Sequence, residues 1–320
     1  MALWSGAVVM DGSPNSSLIS ALIAETNSGC QAIRARCFID CSGDADVAHF
    51  AGVPFEVEDK CGSSLIPTTM FRVGCVDANC ALAIVGDLNA VNALMANAQL
   101  AMPGKYRFPR EGAILRPQKN PTEWRANVTQ VRNSEGRAID ATDARQLSAG
   151  ELEGRRQVVE YFGFLKAELP SFENAAIVDI APQIGIRESR RIASAYALSG
   201  EDILSSAQFG DAIGINAWPM ELHAAGTIER KFPRNAHNAL SWRMLLPPNV
   251  DNLLLAGRCA SMTHEGQSAA PASGACFVMA QASGTAAALL QASPRFADIN
   301  VSALQTSLIN DGVYLDHDAT

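Results

Sequence analysis

Apolar and polar positions divide this chain into short runs. Ala7 to Met10 is apolar and stops at the turn dipeptide Asp11-Gly12. Leu18 to Ala24 is a second apolar run, Asn27-Ser28-Gly29 turns the chain, and Gln31 to Arg36 alternates. The opening therefore predicts a small antiparallel meander. Cys37-Phe38-Ile39 continues into a buried strand that ends at Asp40. From about Glu56 prolines punctuate short strands and loops, with "AILRPQ", "RANVTQVR" and "AAIVDIAPQIG" as the strand candidates. Ser148-Ala149-Gly150-Glu151 fits a capping box. Val158, Val159, Phe162, Leu165 and Leu169 follow at helical spacing, and Pro170 stops that helix. Near the end, "VDNLLLAG" predicts a short apolar strand. A small-residue loop follows it, then a helix from about Gly274 to Leu290, with Ala280, Gly284 and Ala287 expected to let it pack closely. After Ser293 the pattern predicts a surface tail.

Composition narrows the class. The chain has 320 residues, 48% of them hydrophobic and 18% charged, which suits a globular protein with a substantial core. A net charge of −8 does not suit a nucleic-acid binder, and no polybasic segment suits a membrane surface. Gly274 to Ala292 contains Gln281, Ser283 and Gly284, and reads as a buried helix rather than a membrane span. The eight cysteines form no CxxC pair, and several sit in apolar runs, which fits a reduced, cytoplasmic setting. No HExxH or CxxC spacing suggests a metal. "GQSAA" nearly matches a nucleophile elbow, but it lies well beyond the strand end at Ala256, which argues against a hydrolase.

Two stretches carry candidate chemistry. In "FIDCSGDAD" a buried strand gives way to Ser42-Gly43-Asp44. Gly43 lets a ligand approach the backbone, while Asp44 can cap the next helix or accept from a hydroxyl. In residues 252–291 a strand ends at Ala256-Gly257, Arg258 offers charge-assisted hydrogen bonds, and an Ala-, Ser- and Gly-rich helix begins near Gly274, Ala275 and Cys276 with its positive end. Each stretch also has a bland reading: structural capping is the preferred one for "FIDCSGDAD", and a buried strand-to-helix junction without a ligand stands level for residues 252–291.

These stretches also carry a family resemblance. "AIRARCFIDCSGDADVAHFAGVPFE", "APQIGIRESRRI" and "VDNLLLAGRCASMTHEGQSAAPASGACFVMAQASGTAAALL" resemble the FAD-dependent oxidoreductases with a glutathione-reductase-like FAD fold. "FPREGAILRP", "RANVTQVR" and "EGRRQVVEYFGFLKAELPSFENA" are similar too, so the likeness runs from roughly Trp4 to Leu290. It implies FAD as cofactor and hydride transfer with a small organic substrate. Ser42, Gly43 and Asp44 would lie near the nucleotide, and Ala256, Gly257 and Arg258 near the ribityl chain and pyrophosphate. Gly274, Ala275 and Cys276 would face the flavin's pyrimidine edge. Members begin with a strand, a GxGxxG loop and a helix, and this sequence contains no GxGxxG. The expectation is a member lacking its first segment, or one completed by a second chain. Some members have an Arg where Pro271 stands, so substrate class does not carry over.

The expected fold is α/β: an incomplete Rossmann-like FAD-binding sheet with an inserted α+β substrate domain. Residues 1–55 and 251–293 would form the FAD-binding part, 56–250 the substrate domain and 294–320 a C-terminal tail. His264, beside Glu265, is a candidate acid, base or hydrogen-bond donor, or else a loop-ordering residue. His223 is a second candidate. Arg243 and Arg187 are candidates for a substrate carboxylate or phosphate, whereas Glu188, Arg190 and Arg191 read as a solvated or helix-capping charge cluster. His49 reads as structural, His237 and His317 as exposed. The alternative function is a catalytically silent flavoprotein-like domain that acts as a binding or scaffolding partner.

Overall fold

Two units make up the chain: Met1–Gly62, Glu188–Leu222 and Arg230–Thr320 form the first, and Ser63–Arg187 with His223–Glu229 the second. The computed structural model describes residues 3–10, 17–57, 64–85, 88–110, 112, 114–223, 228–290 and 295–315. Asp11-Gly12 and His317 lie outside the described residues.

The first unit opens with an antiparallel sheet of β1 (Leu3–Met10), β2 (Ile19–Thr26) and β3 (Gly29–Ile33), in that order. Strand β4 (Phe38–Asp40), helix α1 (Asp46–Phe50) and strand β5 (Phe55–Glu56) follow. The chain then builds the second unit from β6 (Phe71–Gly74), α2 (Ala78–Val85), α3 (Leu88–Ala101), β7 (Ile114–Pro117), β8 (Trp124–Asn127), α4 (Ala144–Glu168) and β9 (Ala176–Ile180). Its strands form one antiparallel sheet in the order β7-β8-β6-β9. Phe71, Trp124, Tyr161, Phe164 and Phe172 fill its core.

Back in the first unit come β10 (Arg191–Ile192), α5 (Gly200–Ser205), β11 (Ala212–Asn216), β12 (Met220–Leu222), β13 (Glu229–Lys231) and β14 (Asn238–Ser241). Strand β15 (Leu253–Leu255) and helices α6 (His264–Gln267), α7 (Ser273–Leu289) and α8 (Val301–Asn310) complete it. Ile192 pairs with Phe55, and Trp242 shares a core with Leu254 and Met279. These partnerships place residues 188–222 and 230–250 in the first unit, so the division does not coincide with boundaries drawn at 56 and 250.

Three local expectations need correction. Helix α4 starts at Ala144, not Ser148, because Asp143 already caps it, accepting from the amides of Arg145 and Gln146 at 2.9 and 2.8 Å. The Ser148 hydroxyl instead donates to Ala144 O at 2.7 Å, a bond back along the helix. Helix α7 buries Ala275, Met279, Ala282, Ser283 and Ala286, while Ala280 and Gly284 are exposed. Small residues occur all round this helix, so their positions did not mark the packed face. Finally, the described residues 295–315 of the expected tail are not all at the surface. Phe296, Leu304 and Leu308 are fully buried in the core around α7. The spacing of Leu304 and Leu308 gives α8 an apolar stripe that must be covered.

That packing has a direct consequence. Leu304→Ala is expected to lower the unfolding free energy by about 2–5 kcal/mol, the range for a buried Leu truncated without collapse of the site. Urea denaturation of the two proteins measures it, and a loss within error of zero would contradict the buried position of α8.

Candidate active site

Strands β4 and β15 pair parallel and in register, Phe38 opposite Leu253 and Asp40 opposite Leu255. Both are short, apolar and buried. The buried side chain of Asn252 fastens them to β2: its Oδ1 accepts from the Ile19 amide at 2.8 Å, and its Nδ2 donates to the carbonyls of Ile19 and Arg36. Because the strands end level, the turns that leave them, Cys41–Asp44 and Ala256–Arg258, emerge side by side. Ligands of open parallel sheets bind at this end of the strands.

Asp40 organises the first turn and is fully buried. Its Oδ1 accepts from the Ser42 amide at 2.9 Å and the Ser42 hydroxyl at 2.7 Å, and its Oδ2 from the Ala48 amide at 3.1 Å. The Ser42 hydroxyl in turn accepts from the Asp46 amide. Gly43 has φ +84°, and a Cβ there would lie 2.6 Å from Arg258 Nη2, so only glycine fits beneath that guanidinium. Arg258 Nη1 donates to Asp44 Oδ1 at 2.8 Å and to the Ser189 hydroxyl at 2.7 Å. Arg258 thus bridges the two turns, and Asp44 is already engaged.

In the second turn Gly257 has φ +76°, and a Cβ there would point at Cys276 Sγ, 3.7 Å away. Gly257 therefore abuts the first turn of α7. No side chain caps that turn at Ala272, which leaves the amides of Ser273, Gly274 and Ala275 without intrahelical acceptors. The Cys276 thiol donates to Pro271 O, and burial raises its pKa. Burial, reinforced by the Asp40 carboxylate, raises that of Cys259 as well. Both side chains are thiols at neutral pH, not nucleophilic thiolates.

A second cluster stands in the same unit. Helix α6 begins at Thr263, whose hydroxyl accepts from the Gly266 amide. Gly266 presses on the chain at Leu198, whose carbonyl oxygen would be 2.1 Å from an added Cβ. This seats His264 with its Nδ1 2.8 Å from Glu188 Oε2. Glu188 is ion-paired with Arg191, and the side chains of both are almost wholly buried. The reading of Glu188, Arg190 and Arg191 as a solvated or helix-capping cluster is therefore corrected: all three are buried. Arg190 donates to Asp44 O and Asp46 Oδ1. A carboxylate accepts, so the contact with Glu188 favours a proton on Nδ1 of His264.

The structure brings Ser42, Gly43, Asp44, Ala256, Gly257 and Arg258 together, with Cys276 and its helical neighbours Gly274 and Ala275 beside Gly257. The four catalytic candidates are divided between the units, His264 and Arg243 in the first and His223 and Arg187 in the second. Arg243 is taken up by Asp211, at 2.9 Å from its Nε, and by the ring of Tyr196. His223 and Arg187 belong to the second unit, where His223 is buried and its carbonyl accepts from the Ile66 amide. His49 stacks edge-on against Phe55, and His237 against Tyr314, so His237 is only partly exposed. Sequence reasoning missed Asp40, Ser189 and the partnership of Glu188 with His264. The only available signal was a charged run flanked by apolar residues.

A family model for FAD dependent oxidoreductases matches residues 2–308. The chain belongs to this family. No curated protein matches it. Among solved structures it is similar to that of MibH, a lathipeptide tryptophan 5-halogenase, at 11% identity and a TM-score of 0.33, over 95% of this chain and 37% of that one. The chain thus spans little more than a third of that protein, and a likeness at this score bears on nothing that follows.

The residues at the strand ends fit the family's cofactor. Gly43 and Gly257 bare the backbone on both turns, and α7 offers uncapped amides to a polarised oxygen. Gln267 is buried and donates to Arg258 O, but its Oε1 has no partner among the described residues, an acceptor facing a donor still to come. Among the described residues no group of His, Cys, Asp and Glu is placed to hold a metal, and no helix is long and apolar enough to cross a membrane. The described cysteines are free thiols.

Removal of Glu188 takes from the buried Arg191 its closest carboxylate and leaves the exposed Glu56 at 3.4 Å. Glu188→Ala is expected to cost about 3–5 kcal/mol of stability, as for other broken buried pairs. Thermal and urea unfolding measure this, and a cost below about 1 kcal/mol would mean that Arg191 is hydrated.

Proposed function

We propose that the first unit holds FAD across the ends of β4 and β15 and that the protein transfers hydride to or from a small organic substrate. The observation that carries this reading is the level pairing of β4 with β15, which sets two glycine turns and the uncapped start of α7 side by side. The same pairing supports reading the first unit as a Rossmann-like sheet. When bound, FAD supplies the two-electron chemistry.

This chain's own residues bind, orient and move a proton. Ser42, Gly43 and Asp44 would serve the nucleotide end. Ala256 and Gly257 would let the ribityl chain pass close to the backbone, while Arg258 keeps both turns in place. The free amides at the start of α7, those of Gly274 and Ala275 with Cys276 beside them, would stabilise negative charge on the pyrimidine edge of the ring. His264, held by Glu188 through Nδ1, would accept a substrate proton at Nε2 or return it.

The further reading that a second chain supplies a glycine loop rests on the lack of any GxGxxG among the 320 residues. A silent, scaffolding domain is the alternative, and retention of flavin by the chain alone separates self-sufficient binding from both of these readings. The deciding experiment is the visible spectrum of the purified chain after incubation with FAD and gel filtration. Retained flavin that bleaches anaerobically with a reductant is the expected result, and Gly274→Val, at an exposed helical position with open space around it, is expected to weaken retention with little change in unfolding temperature. His264→Ala is expected to retain flavin and to lose about 10²–10⁴-fold in turnover once a substrate is in hand, the usual worth of a positioned acid or base. Complete loss of flavin from the wild-type chain would sink self-sufficient FAD binding.

A further inference from the structure

The second unit carries a cleft that the flavin reading leaves unused. Its volume is about 740 Å³, within the range of pockets that take drug-sized ligands. One wall is the face of α4 bearing Gln146, Ala149, Gly150, Glu153 and Gln157, and the other is the loop 130–139. The loop is well braced. Asn133 Oδ1 accepts from the amides of Glu135 and Arg137, both at 3.0 Å, and Arg132 bridges to Ala138. Helix and loop meet at Gly150, where an added Cβ would stand 2.5 Å from Ile139 Cδ1.

The charges of the lining do not cancel. Arg132, Arg145 and Glu153 all face the cleft. Glu153 already has its cation: Arg156 donates to it from Nε at 2.8 Å and Nη2 at 2.6 Å, and Gln157 adds a third bond. Arg156 holds the Glu153 carboxyl below the usual carboxylate range, with Arg107 adding to the positive field. Arg145 is exposed, and its side chain has no ion-pair partner among the described residues. Arg132 is pinned through Nη2, which donates to Pro109 O at 2.6 Å and to Gln130. Its Nε is buried without a partner among the described residues. A cationic donor left in that state favours an incoming anion. Ile139, Pro109 and Ala149 add apolar surface to a lining otherwise shared by uncharged polar side chains such as Gln146 and Asn133.

We propose that this cleft binds a drug-sized organic acid, its carboxylate received by Arg132 and Arg145 and its apolar body laid against Ile139, Pro109 and Ala149. The site stands on the second unit's own geometry and does not depend on bound flavin.

Calorimetric titration of the full chain with 2-naphthoate tests it, with the uncharged 2-naphthamide and inorganic phosphate as the other arms. The acid is expected to bind at least about tenfold more tightly than the amide, the worth of one charge-assisted hydrogen bond. Arg132→Gln and Arg145→Gln are each expected to erase most of that preference. Ala149→Phe, a change at an exposed helix position, is expected to block the acid while the unfolding temperature stays native. Equal binding of acid and amide, no binding of either, or acid binding untouched by all three variants would overturn the proposal. Phosphate bound as tightly as the acid would overturn the organic class of the ligand.

Discussion

The parallel register between Phe38–Asp40 and Leu253–Leu255 is the constraint on which the first unit depends. It joins segments from opposite ends of the chain, and a slip of one residue would turn each strand's side chains to the wrong face. Two buried polar residues prevent that slip. Asn252 is hydrogen-bonded to backbone on both neighbouring segments, and Asp40 accepts from the Ser42 amide and hydroxyl, the Ala48 amide and the Cys259 thiol at the strand end. Leaving any of these groups unpaired in a dry interior costs more than the bond itself contributes. The arrangement is therefore specific because the alternatives are expensive.

Buried charge serves a related purpose around His264. A buried ion pair is seldom the most stable filling for a core. Glu188 and Arg191 sit between β5, β10 and the start of α6, with Arg191 also reaching Val57 O. What such a pair achieves is orientation. The imidazole is held at Nδ1 by a buried carboxylate, which fixes the orientation of the ring. The same economy appears at Arg258, whose guanidinium spans Asp44 and Ser189 and fixes the spacing of the two turns.

Glycine plays the corresponding part in the second unit. Helix α4 carries Gly150 and Gly154 on its buried face, at a cost of about 1 kcal/mol each against alanine. An added Cβ would strike Ile139 at the first and come within 2.0 Å of Thr69 Oγ1 at the second. The helix closes on the loop and the sheet because those side chains are missing. The cleft beside Arg132 opens along the same helix face, toward its start.

The antiparallel meander, the strand–Ser-Gly-Asp junction and the strand–glycine–helix junction were all legible in one dimension. Each is written in local chemistry: an apolar run, a turn residue, a run of good helix formers. The likeness to flavoenzymes lay in those same stretches. Much else was not legible. The charged run at 188–191 looked solvated or helix-capping because nothing in its composition reveals that Glu188 meets a histidine 76 residues later. The apolar stripe of α8 looked like part of a tail because its partners, around α7, precede it by a loop. The buried face of α7 was hidden by small residues on every side. Local propensity and spacing define elements. Which charges are buried together, and which face of a uniform helix is covered, depends on contacts between distant segments, whose energies exist only once the chain has closed on itself.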